Sequence, residues 1–154
     1  MPAPTNTQFA VAVHVLVYLA DADPGTLVNS DELSRSANAN PVYVRRVLGP
    51  LREAGIVRSR PGVGGGWELA RAAGSVALDE VWSVVNGDDP VLGLHGPNPS
   101  CPIGRGVQRA LTDLDRQAER ALRDVLGQRT VGDVLAATSV RPRRGARRTD
   151  GRRA

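Results

Sequence analysis

Apolar residues fill the positions from Phe9 to Ala20 almost without interruption, broken only by His14, and predict a helix over 7–20 that is buried on most sides. Asp21-Ala22-Asp23-Pro24-Gly25 supplies the turn residues that end it. Asn29-Ser30-Asp31-Glu32 has capping-box order, a side-chain oxygen at the N-cap and Glu three residues on, and opens a short helix ending near Ala37. After the polar turn Asn38-Ala39-Asn40, a third helix begins with Asn40 as cap and Pro41 at the first position, where its missing N–H costs nothing. This helix directs Val44, Val47, Leu48 and Leu51 inward and stops at Gly55, and Pro50 is expected to bend or loosen its last turn. Two short helices joined by a tight turn form a helix-turn-helix.

Beyond Gly55 the pattern becomes that of strands. Ile56-Val57-Arg58-Ser59 and Trp67-Glu68-Leu69-Ala70 flank a Gly-rich loop, Arg60 to Gly66, and read as a hairpin; directly after a helix-turn-helix, a hairpin is a wing. Leu78, Val81, Trp82 and Val85 give one more helix over 78–86, ended by Asn86-Gly87, and Asp88 to Pro102 is a loop rich in Gly, Pro, Asn and Asp. From Ile103 onward, Val107, Leu111, Leu114, Ala118, Ala121 and Val125 alternate steps of four and three, a heptad seam reaching about Leu126. Arg109, Asp113, Arg116, Arg120 and Asp124 line the opposite face. The chain offers no second helix of similar length, so the seam predicts a homodimer through the helix 103–126. Thr130 then caps a final short helix expected to pack back on the long one.

Composition narrows the class. A chain of 154 residues with 41% apolar content is enough for one compact domain with a real core. All 20 positive side chains are Arg, against 16 acids, for a net charge of +4. Seven of those Arg lie between Arg141 and Ala154 with Asp150 as the one acid, a +6 tail expected to be a disordered basic arm. The remainder sums to −2, yet the stretch Arg45 to Arg60 holds five Arg against Glu53 alone, a +4 patch inside an acidic body. One cysteine, Cys101, excludes an intrachain disulfide and an all-Cys zinc site. No basic residue precedes the first apolar run, so no signal peptide is expected, and that run is too short for a bilayer. A soluble cytoplasmic protein without a membrane segment follows as the expectation. Two His and one Cys, widely separated, offer no catalytic triad or metal set, so an enzyme is not expected.

Several segments together resemble the Rrf2 family of bacterial transcription regulators. They are Asn6-Thr7-Gln8-Phe9-Ala10-Val11-Ala12-Val13-His14, the run Leu48 to Val57, Gly64-Gly65-Gly66-Trp67-Glu68-Leu69-Ala70, Leu78-Asp79-Glu80-Val81 before Asn86-Gly87, and Cys101 at the head of a long helix. The resemblance covers about residues 6–138 and implies a dimeric winged-helix protein that binds operator DNA, with many members sensing iron–sulfur, redox or thiol status. The fold class expected is mainly α with a small β-hairpin: a winged helix-turn-helix over 1–87, a sensory loop over 88–102, dimerisation helices over 103–140 and the basic tail over 141–154.

The first turns of a reading helix carry the side chains that meet base edges, here Asn40, Val42, Tyr43, Arg45 and Arg46. Cluster-bearing relatives often have Glu and Gln where Arg45 and Arg46 stand. Two guanidinium forks suit guanine O6 and N7 and so predict a G-containing half-site, with phosphate contact the alternative for Arg46; Tyr43 is expected at the DNA backbone, with core packing as its alternative. In the wing, Gly64, Gly65 and Gly66 allow a sharp tip that approaches a sugar-phosphate backbone, and Arg58 and Arg60 are candidates for a narrow minor groove. The family often has Arg directly before the wing's first Gly, where this chain has Pro61. Trp67 and Trp82 lie on apolar faces and read as core; His14 is expected near a domain or dimer interface.

Cluster-binding relatives carry Cys-x5-Cys-x5-Cys ending at the long helix; counting back from Cys101, this chain has His95 and Asp89, and Gly104 where some relatives have a His ligand. A mixed site of Asp89, His95 and Cys101 is a rare type, and no cofactor is expected. Cys101 at a helix N-terminus, with Arg105 one turn on, is a candidate redox or electrophile switch, with an inert cap as the alternative. Beside the regulator of a palindromic operator stand two other functions: a winged-helix module acting through a metabolic enzyme partner, and an iron–sulfur regulator with mixed ligands.

Overall fold

A computed structural model describes residues 7–138, and the tail expected over 141–154 lies outside them. In order, the elements are α1 (Thr7–Asp21), α2 (Ser30–Ala37), α3 (Pro41–Glu53), β1 (Val57–Arg60), β2 (Gly66–Leu69), a 3-10 turn (Ala73–Ser75), α4 (Leu78–Asn86), α5 (Pro102–Leu126) and α6 (Val131–Ala137). The architecture is mainly α with one small antiparallel hairpin, as the sequence pattern predicts.

Helix α1 is the hub: Ala12, Val15 and Leu16 are inaccessible, and α2, α3, α4, α6 and β2 all pack on it. At α2 the Asn29 side chain accepts the Glu32 N–H at 2.8 Å. The Glu32 carboxylate does not complete the expected box; it accepts the half-buried Tyr18 hydroxyl at 2.6 Å, a charge-assisted bond that ties α2 to α1. Asn38 turns the chain in the left-handed region at φ 48°. Asn40 Oδ1 accepts from the Val42 N–H at 2.8 Å and opens α3, whose Val44, Val47, Leu48 and Leu51 are fully buried. Pro50 removes the donor that would reach the Arg46 carbonyl, yet the helix continues to Glu53. It ends in a Schellman arrangement, with Gly55 at φ 73° and N–H bonds from Gly55 to Arg52 and from Ile56 to Leu51.

The hairpin register pairs Val57 with Leu69, Arg58 with Glu68, Ser59 with Trp67 and Arg60 with Gly66. A third extended segment joins it, which the hydrophobic pattern does not announce: Val28 and Trp67 exchange N–H···O bonds of 2.9 and 2.8 Å. Buried Trp67 completes the attachment by donating its indole N–H to Ser30 Oγ at 3.1 Å. Trp82 is also buried, edge-on to Phe9 at 5.4 Å between ring centroids.

Helix α6 does not run back along α5 as expected. Leu78 donates its N–H to the Arg129 carbonyl and Val131 to that of Val76, both at 2.9 Å, and these bonds stitch the chain after α5 to the segment before α4. The stitch delivers α6 onto α1 and the 3-10 turn, with Val131 fully buried and Gly132 close against Gly74. A capping box starts it: Thr130 and Asp133 each accept the other's backbone N–H, and these Thr130 bonds hold the Asp133 carboxyl below its ordinary range. The connection from α4 to α5 is fixed at Leu92, whose N–H donates to the buried Asp115 carboxylate of α5 at 2.7 Å.

Two glycines give opposite expectations. A Cβ at Gly106, inside α5, meets nothing within 4 Å, whereas one at Gly65 falls 2.1 Å from the Arg60 carbonyl oxygen. Gly106→Ala should therefore raise the urea-unfolding free energy by about 0.5–1 kcal/mol. Gly65→Ala should lower it by about 1–3 kcal/mol through backbone strain in the loop.

Candidate nucleic-acid interface

The same periodicity that buries four residues of α3 exposes Val42, Arg45, Arg46, Arg52 and Glu53. Among the described residues no hydrogen bond or ion pair engages Arg45 or Arg46, so two guanidinium forks stand free near the head of the helix. Asn40 uses its side-chain oxygen as the cap acceptor, and its two amide N–H donors make no bond among the described residues. Tyr43 is half-buried and packs against the core.

Arg52, at the end of α3, links the helix to the hairpin. Its Nη1 donates to Ser59 Oγ at 3.4 Å, and its guanidinium carbon lies 5.8 Å from the centre of the Trp67 ring. Arg58 and Arg60 share one face of the hairpin, two residues apart, but they differ in freedom. Arg58 Nε is 2.8 Å from Glu68 Oε1, the residue directly opposite it in the ladder, while Arg60 is exposed at the root of the loop. The sequence places all five Arg in one basic patch; the cross-strand register neutralises one of them, and only the register carries that information.

The three consecutive glycines serve three different local needs. Gly64 occupies the left-handed region at φ 75° and turns the tip. Gly65 lies against the carbonyls of its own loop, and Gly66 against Val28, where a Cβ would fall 2.7 Å from the carbonyl oxygen. Gly65 and Gly66 thus have folding reasons to be glycine, separate from any ligand.

Cys101 is the N-cap of α5, half-buried, with Sγ accepting the Gly104 N–H at 3.4 Å. The Arg105 guanidinium donates to the Pro99 carbonyl at 2.7 Å and closes the turn on the other side of the cap. Asp89, His95 and Cys101 are not brought together: among the described residues no three His, Cys, Asp or Glu form a group that could hold a metal. His14 donates to or accepts from Ser36 Oγ at 2.9 Å and lines a mainly apolar groove of about 360 Å³ between α1 and α6. On α5 the seam divides. Leu111 and Ala118 turn half inward, while Ile103, Val107, Leu114 and Val125 remain 77, 42, 51 and 64% exposed, a stripe left uncovered by the described residues. Among the described residues no helix is long and apolar enough to cross a membrane.

Comparison with known proteins places this geometry. The model of the Rrf2 family, described as an iron-dependent transcriptional regulator, matches residues 5–137. A Bacillus subtilis protein named as an HTH-type transcriptional regulator, YwnA, is 35% identical over 131 residues, 84% of this chain and 96% of that protein. The transcriptional regulator IscR of Cereibacter sphaeroides is 30% identical over 114 residues, 73% of this chain and 72% of its own. A crystal structure described as a transcriptional regulator from Lactobacillus plantarum superposes with a TM-score of 0.73 at 30% identity, covering 88% of this chain and 91% of that one. The cysteine regulator CymR of B. subtilis shares the fold at a TM-score of 0.61 and 19% identity, over 84% of this chain and 94% of its own.

The iron in the family description finds no fitting donor set here. Iron–sulfur clusters are held chiefly by several thiolates, and this chain has a single Cys whose sulfur already caps a helix. The helix-turn-helix, the wing and these relatives lead to one assignment: the chain belongs to the Rrf2 family of transcriptional regulators.

Proposed function

We propose that this regulator acts in the cytoplasm as a homodimer that binds a two-fold repeated operator, with the first turns of α3 in the major groove and the wing along the flanking backbone. The observation that carries the reading is the pair Arg45 and Arg46, exposed and unpaired among the described residues, on a chain whose body outside its basic patch and tail is acidic. A face made for a metabolic enzyme partner has no need of two free guanidinium groups side by side, whereas guanine O6 and N7 accept such a fork. Arg45 is assigned to a base edge and Arg46 to a base edge or a phosphate. Fluorescence titration with an operator selected by the pure protein, at two salt concentrations, tests this. Arg45→Ala should cost about 1–3 kcal/mol on the operator and relax preference at one base pair, while affinity for random duplex changes less. Absence of salt-dependent duplex binding by the parent chain would sink the DNA reading and favour the protein-interaction module.

Dimerisation through α5 is supported by the uncovered stripe of Ile103, Val107, Leu114 and Val125, whose heptad spacing suits a second α5. Leu114→Asp should convert a dimer to a monomer in sedimentation experiments without lowering helicity, since Leu114 is already 51% exposed in one chain.

The signal is assigned to Cys101. With peroxide as oxidant, the thiolate attacks one peroxide oxygen, the O–O bond breaks, hydroxide leaves and sulfenic acid forms. The added oxygen alters the acceptor that holds the Gly104 N–H and thereby the start of α5. Operator binding by the parent chain should change on peroxide treatment and that by Cys101→Ser should not; an equal response in both would remove the switch.

A further inference from the structure

The wing carries its charge at the root and none at the tip. Arg60 stands at the end of β1, Arg58 is held by Glu68, and from Pro61 through Gly65 no side chain has a hydrogen-bonding group. The loop closes by a bond from the Gly65 N–H to the Gly62 carbonyl at 3.0 Å, with Gly64 at φ 75° as the third residue of that turn. This is type II geometry, and it puts Val63 at the outer corner. Val63 is 110% exposed, more open than in an extended reference peptide, and no neighbour shields its methyl groups.

A single exposed valine is ordinary on a protein surface. Its position here is not. Gly62 and Gly64 on either side have no side chains, so the isopropyl group of Val63 is what the tip offers to any groove it enters. Such a tip cannot neutralise a phosphate. It can desolvate against the C–H edges of deoxyribose that wall the minor groove, and it meets the groove floor, where G·C pairs project the guanine N2 amino group and A·T pairs do not. An apolar tip gains by entering where the floor is unobstructed and loses by desolvating an amino group it cannot bond.

We propose that Val63 is a specificity-determining residue of this regulator: its side chain packs in the minor groove flanking the α3 contact and favours A·T over G·C pairs there by exclusion of the guanine amino group. This rests on the DNA-binding reading above and adds a base preference at a position without a hydrogen bond from the protein. Val63 differs from a minor-groove arginine in what salt does to it, because burial of methyl groups releases no counterions.

The test uses the full chain and its selected operator, with the pairs facing the wing set to A·T, G·C or inosine·C. Inosine·C keeps the pairing of G·C but lacks the minor-groove amino group. The parent chain should bind the A·T and inosine·C operators alike and the G·C operator about threefold to tenfold more weakly, the scale of burying one small aliphatic group. Val63→Ala should weaken binding to the first two, flatten the preference and leave the salt slope unchanged. Val63→Thr, nearly the same shape with one hydroxyl, should fall between them. Inosine·C behaving as G·C, or an unchanged preference in Val63→Ala, overturns the proposal. If Arg45→Ala weakens operator binding while Val63→Ala leaves both affinity and preference intact, the role of Val63 alone fails. If the parent chain binds no duplex, both readings fall together. Thermal melting of Val63→Ala should match the parent, as the side chain touches nothing it could destabilise.

Discussion

Val15 and Leu16 have no access to water, and most of the remaining side chains of α1 are at least half covered, so this helix is stable only when other elements enclose it. The enclosure dictates the arrangement of the head. α2 and α3 close one side, held in part by the Tyr18–Glu32 bond; α4 closes another through the Phe9–Trp82 contact; β2 and α6 close what remains. The second helix of the helix-turn-helix, α3, is mounted rigidly because its four buried residues join the same core as α1. The exposed face of α3 is then fixed by helical geometry alone, with no further interaction required to aim Arg45 and Arg46 outward.

The electrostatics follow the same economy of partners. Glu68, directly opposite Arg58 in the ladder, is paired with it. On the wing Arg60 is then left without a partner among the described residues, and Arg45 and Arg46 are likewise free on the helix. Within the head, part of the free positive charge thus sits on an element that presents its side chains rigidly.

Much of this arrangement is legible in the order of the residues. Asn40-Pro41 and Gly55 mark both ends of α3 because caps and left-handed glycines are local, and the spacing of Val44, Val47, Leu48 and Leu51 states which face is inward. The seam on α5 is legible for the same reason, although Leu111 and Ala118 turn partly toward the body. The sequence is silent where main-chain atoms do the joining. Neither the Val28–Trp67 bridge nor the bond from Val131 to Val76 needs a particular side chain, so the segment added to the wing at Val28 and the destination of α6 leave no pattern to read. Long-range side-chain choices escape similarly: Glu32 turns to Tyr18 instead of closing its own cap, and Asp115 goes inward to hold Leu92. In the wing, three glycines that look equivalent in sequence are distinguished only by the left-handed turn at Gly64 and by the backbone that lies against Gly65 and Gly66.

The joint between the long helix and the head, made from the N–H groups of Leu78 and Val131, has a bearing on how this protein varies through descent. The bonds themselves ask only for an N–H and so bar proline at the two donors, while the burial of Leu78 and Val131 asks that the side chains they carry be apolar and fit the core. Bulk is barred beside them, at Gly132 against Gly74. A fold joined in this way keeps its shape while its sequence drifts, in keeping with a shared architecture at 19% identity with CymR. The outward faces of α3 and the wing are left free to diverge without disturbing the frame that carries them.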